Sequence, residues 1–93
     1  MTFTKLFIMK KQKKTRIEQF VIDKVKEIRI QKGISQEEIA LFLETTKGFI
    51  GQIETPNHSS KYNINHLNTI AVEFNCSIKD FFPDLPFPDE EKI

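Results

Sequence analysis

The sequence holds a single cysteine, Cys76, so neither a disulfide framework nor a CxxC-type metal site is available to it. Cys76 also has no basic or histidine neighbour to activate it, which favours the role of a small buried hydrophobe over that of a reactive thiol. No apolar run approaches the roughly 18 residues of a membrane span. The opening stretch MTFTKLFIMKKQKK places its charges after its apolar patch, the reverse of a secretory signal, so a cytoplasmic location is expected. The sequons at Asn57 and Asn75 then carry no meaning. Glycine-rich phosphate loops and paired nucleophile and base are missing. His58 and His66 have no acidic or cysteine partner at metal-ligand spacing, so zinc is not expected. Catalysis and a bound cofactor are therefore not expected.

What remains is a short chain of 93 residues, 39% apolar, with nine phenylalanines and no tryptophan. That suffices for one small core. The net charge of +1 hides a division. Residues 1–32 carry ten Lys/Arg against three acids, whereas residues 33–93 carry four against ten. One end should attract a polyanion and the other repel it. Three parts are expected: a basic arm over residues 1–14, a helical domain over 15–83 and an acidic, proline-containing tail over 84–93.

Within the domain the periodicity is helical throughout. Ile17, Phe20, Val21, Val25 and Ile28 form the stripe of a first helix, which Gly33 closes. Ser35 and Glu38 make a capping box, followed by the inner stripe Ile39, Ala40 and Leu43. Thr46 can cap a third helix with Ile50 and Ile53 facing inward. The stretch TPNHSSKYN then reads as an exposed loop. Asn63 can cap a fourth helix with Leu67, Ile70, Ala71 and Phe74 on its apolar face, and Asn75 suits a left-handed exit. Ser77 starts a fifth, with Ile78, Phe81 and Phe82 apolar and Pro83 as its stop. The fold expected is all-α, with five helices and a loosely ordered tail.

The run RIQKGISQEEIA, then TT, then IGQIE, followed by INHLNTIAVEFNCSIKDFF, resembles the phage repressor/Cro (Xre-type) family of helix-turn-helix regulators over residues 25–82. The resemblance implies a compact repressor-like DNA-binding domain with a recognition helix at about 46–53 in the major groove. It implies a buried ion pair between Arg29 and Glu54, structural rather than functional. Two departures stand out. A turn position commonly occupied by glycine is Glu44, and the loop after Glu54 is about two residues longer than usual.

Family geometry sets Gln36 on a phosphate and turns Thr46, Lys47, Gly48 and Gln52 towards the bases. Lys47 can bond guanine or neutralise a phosphate, and Gln52 can pair with an adenine edge. Gly48 and Gly51 either let the backbone approach the groove or are merely tolerated. Phe49 can pack against the second helix or meet a thymine methyl. In the loop, Asn57, His58, Ser59, Ser60, Lys61 and Tyr62, with Asn65, are candidate phosphate donors. Lys10, Lys11, Lys13, Lys14 and Arg16 can follow DNA as an arm that steepens salt dependence.

The apolar Leu41 and Phe42, and Phe81, Phe82, Leu85 and Phe87, exceed what the core needs. They point to a homodimer contact, as the family's two-fold sites imply, or to a tail folded over the second helix. The expected function is sequence-specific regulation through double-stranded DNA. The alternative is an antitoxin-like or protein-interaction module that holds a partner through its apolar tail.

Overall fold

The computed structural model describes residues 14–88. Four α-helices follow one another: α1 (Arg16–Gln31), α2 (Gln36–Phe42), α3 (Lys47–Ile53) and α4 (Ile64–Phe74). A single 3₁₀ turn, Ile78–Phe81, comes after them. Among the described residues there is no strand, and no helix is long and apolar enough to cross a membrane.

Local chemistry sets each start. Thr15 with Glu18, Ser35 with Glu38, Asn63 with His66 and Ser77 with Asp80 form reciprocal capping boxes. Each satisfies two of the backbone N–H groups that a helix start leaves unpaired. Thr46 caps α3 alone, its hydroxyl accepting from Phe49 N–H at 3.1 Å, because position three of that helix is a phenylalanine.

Three exits share one geometry. After α1, Ile34 N–H bonds Arg29 O and Gly33 N–H bonds Ile30 O; after α2, Thr45 bonds Ala40 and Glu44 bonds Leu41; after α4, Cys76 bonds Ala71 and Asn75 bonds Val72. These are Schellman closures, which require a left-handed residue at the hinge. Gly33 supplies it at φ 69°, Glu44 at 56° and Asn75 at 56°.

The core draws on every element: Val21, Ile22 and Val25 from α1, Ile39 and Ala40 from α2, Ile50 and Ile53 from α3. Leu67, Ile70, Ala71 and Phe74 join from α4, with Phe81 beyond it. Phe74 and Phe81 meet edge to face at 6.3 Å. α2 packs most extensively on α3, and the 3₁₀ turn lies against α1 and α4.

Two expectations need correction. The fifth helix is only a four-residue 3₁₀ turn, and Phe82 falls outside it with extended backbone, φ −112° and ψ 152°. The proline at 83 disfavours helical geometry in the residue before it, which leaves too little chain after Ser77 for an α-turn. Nor is the whole tail loose. Phe87 packs edge-on against Phe20 at 6.0 Å, beneath the Arg16 guanidinium at 4.6 Å. The described part of the tail, residues 84–88, thus reaches α1 through Phe87, and Leu41 on α2 is 71% exposed. Residues 1–13 and 89–93, including Lys10, Lys11 and Lys13 of the basic run, lie outside the described residues.

Candidate nucleic-acid interface

The backbone between α2 and α3 turns within a few residues. Leu43 lies at φ −94°, ψ 1°, Glu44 takes the left-handed conformation, and Thr46 is extended at φ −108°, ψ 152°. α3 then buries Ile50 and Ile53 completely. At 100° per residue, its opposite arc of about 140° carries Lys47, Gly48, Gly51 and Gln52. Lys47, Gly48 and Gln52 are exposed there, as is the capping Thr46.

Arg29 fixes this helix in place. Its Nε donates to Glu54 Oε2 and its Nη2 to Glu54 Oε1, both at 3.0 Å, while Nη1 donates to Ile34 O at 2.9 Å. The side chains are only 11% and 3% exposed. A two-pronged guanidinium–carboxylate contact fixes orientation as well as distance, so α1 sets the angle at which α3 ends. Removing either partner leaves the other charge buried alone, at a cost of about 3–5 kcal/mol.

Gln36 belongs to the same cluster, its amide donating to Glu54 Oε1 at 2.8 Å. The side chain assigned to a phosphate by resemblance is thus engaged with the ion pair. Its Oε1 lies 3.9 Å from where a Cβ on Gly51 would be.

The loop after α3 is tied down at several points. Thr55 Oγ1 donates to Gly51 O at 2.7 Å, Ser60 N–H to His58 Nδ1 at 3.1 Å, and Ser60 Oγ to Gln52 Oε1 at 3.4 Å. Gln52 and Ser60 are therefore neighbours, one from the helix and one from the loop. Lys14 donates to Thr55 O at 2.8 Å and to His58 O. Burial, and then the nearby Lys61 charge, pushes the Lys14 ammonium below the ordinary lysine value, with Glu18 opposing. Lys61 pairs with Glu18 at 2.8 Å. Asn57 and Ser59 are exposed.

Tyr62 is not a surface donor. It is 8% exposed, belongs to the core, and meets the His66 ring edge-on at 6.1 Å. Its hydroxyl has no hydrogen-bond partner among the described residues. Burial, and then Glu54, raise its phenol well above the ordinary value, with Arg29 opposing. The ring is large enough that covering its apolar area outweighed the polarity of the surrounding loop. Phe49 is half-buried against the core, its ring meeting that of His66 on α4 at 6.2 Å.

The charge pattern around α3 is one-sided. Between Thr45 and Lys61 the sequence contains one carboxylate, Glu54, and that one is buried and paired. The exposed residues there, Lys47 and Lys61 included, therefore present no negative charge. α2 differs, with Glu37 and Glu38 exposed. No protein-family model matches the chain, and no curated protein matches it. Three or more His, Cys, Asp or Glu side chains placed to hold a metal do not occur among the described residues. Burial, and secondarily Asp80, raise the Cys76 thiol above its ordinary value, the direction of an inert thiol.

Sequence reasoning passed over two contacts. The Thr15–Glu18 box had a legible signal, Thr-x-x-Glu ahead of an apolar stripe. The Lys14 anchor had none, because its acceptors lie 41 and 44 residues away.

Proposed function

We propose that the protein binds double-stranded DNA through α3 and the loop that follows it, and regulates transcription by occupying an operator. The supporting observation is the carboxylate-free arc of exposed Lys47, Gly48 and Gln52 with the half-buried Gly51, continuous through Ser60 with the 55–61 loop. In this reading α3 enters the major groove as a helix-turn-helix recognition helix, with Gln52 facing a base edge and Lys47 facing a phosphate or guanine. Asn57, Ser59, Ser60 and Lys61 meet the backbone, where contacts position the protein without specifying sequence. A single protomer offers few base contacts, so two copies on a near-palindromic site complete the specificity. The exposed Leu41, Val72 and Leu85 offer apolar surface for that pairing. The same surface favours the second reading, a module that holds another protein.

The test is titration of selected and random duplexes at two salt concentrations. Lys47→Ala is expected to lower the slope of log affinity against log salt by about one, for every sequence alike. Gln52→Ala is expected to relax preference at one base pair by about 1–3 kcal/mol. Equal, weak affinity for all duplexes, unchanged by either substitution, removes the DNA reading in favour of the protein-binding one. Gln36 is unsuited to this test because replacing it also disturbs Glu54.

A further inference from the structure

A cavity of about 130 Å³ opens between the first half of α1 and the start of α4. Ile17, Val21, Ile22, Leu67, Phe82 and Tyr62 form its walls. Glu18 and Lys61 stand at the rim 2.8 Å apart and answer each other. A charged occupant would therefore lose its water and find no partner, so the space suits an uncharged apolar group. A dry apolar cavity of about 150 Å³ accepts benzene, so this one has room for a single ring.

The chain itself supplies such a ring close by. Ile17, one of the walls, lies three residues after Lys14, where the described residues begin. Lys14 sits on the same side of the molecule, because it bonds the Thr55 and His58 carbonyl oxygens of the loop that Lys61 ends. Ahead of it in the sequence, outside the described residues, come the apolar Leu6, Phe7, Ile8 and Met9 and then the polar spacer Lys10, Lys11, Gln12 and Lys13. Four residues are enough for a chain to reverse direction. The seven residue steps from Phe7 to Lys14 cover up to about 23 Å when extended. Ile22, the farthest wall on α1, stands only about 12 Å along the axis from residue 14.

We propose that this cavity is the docking site of the chain's own segment Leu6–Met9, with the Phe7 ring seated between α1 and α4. Phe7 is the one aromatic ring of that stretch, and a single ring matches the volume. The short tether holds it at an effective concentration in the millimolar range, so a modest fit suffices. Docking also holds Lys10, Lys11 and Lys13 beside the loop after α3. An arm already held there has less freedom to lose when a duplex arrives. That consequence alone rests on the DNA reading; the docking does not.

The experiment labels the Phe7 ring in the full chain and records NOEs to the methyl groups of Val21, Ile22 and Leu67, which are expected and unchanged on dilution. Phe7→Ala is expected to shift the amides of Val21, Tyr62 and Leu67 and to lower the urea midpoint, whereas Phe3→Ala leaves both in place. It is also expected to weaken duplex binding about threefold. The proposal is overturned if no NOE joins Phe7 to these walls, or if the Phe7→Ala amides superimpose on those of the unsubstituted chain. NOEs that cross between labelled and unlabelled chains overturn it too, since a second copy is then the occupant. Docking in a chain that ignores every duplex keeps the self-contact and defeats the DNA reading. Docking with duplex affinity that Phe7→Ala leaves unaltered overturns the coupling alone.

Discussion

Glu44 holds a side chain at a hinge where its neighbours in kind are Gly33 and Asn75. A left-handed φ brings a Cβ close to the following carbonyl, a cost that glycine avoids and asparagine reduces. Glu44→Gly is therefore expected to stabilise the domain by about 0.5–1 kcal/mol. The check is a rise in the urea midpoint with an unchanged slope; a fall would mean that the carboxylate holds contacts worth more than the strain. The position drew notice only through the resemblance, which left open whether Glu44 adopts a positive φ or avoids it; it adopts one. The Arg29–Glu54 pairing was legible only through resemblance. Tyr62 was misread because loop composition reports average exposure, whereas one large ring beside Glu54 and His66 follows the space available to it.

At the scale of the element, α3 carries two glycines that its own packing does not require. A Cβ on Gly48 or Gly51 would meet nothing closer than 3.9 Å, which is ordinary contact. Alanine at each is expected to raise stability by about 1 kcal/mol through helix propensity. Affinity should move the other way if the bare backbone serves to approach a groove. The Gly48→Ala, Gly51→Ala double variant is therefore expected to melt higher and bind duplex DNA more weakly; a gain in stability with unaltered affinity assigns the glycines no role in contact. Helix starts were read well, because Ser35, Thr46, Asn63 and Ser77 act within three residues of themselves. The last helix was overcounted because Pro83 reaches back to set Phe82, leaving a single tight turn.

At the scale of the whole molecule, several contacts that join distant parts of the described chain outside the apolar core are ionic or aromatic. Glu18 and Lys61 span 43 residues. Burial alone would raise the Glu18 carboxyl, but hydrogen bonds from Lys61 and from the Thr15 N–H outweigh it and hold it below the ordinary carboxylate value. A carboxyl depressed on folding adds stability above its unfolded pKa and loses it as pH falls through the folded one. Stability is thus expected to decline below about pH 4.5, and Glu18→Gln to be less stable at neutral pH with a shallower acid decline. Urea unfolding at a series of pH values checks this, and parallel curves for the two proteins would contradict it. The Lys61 partner was not readable along the chain, where the charge division at residue 32 showed only bulk polarity. The packing of Phe87 onto Phe20 was equally hidden, since proline and acid content argue for looseness regardless of where one phenylalanine lands. Lys14 extends the theme. By gripping the Thr55 and His58 carbonyls it closes the chain into a loop that encloses α1, α2 and α3. A trim of one residue too many before α1 therefore acts as a cut through a knot in a purse string, and the slack emerges forty residues away.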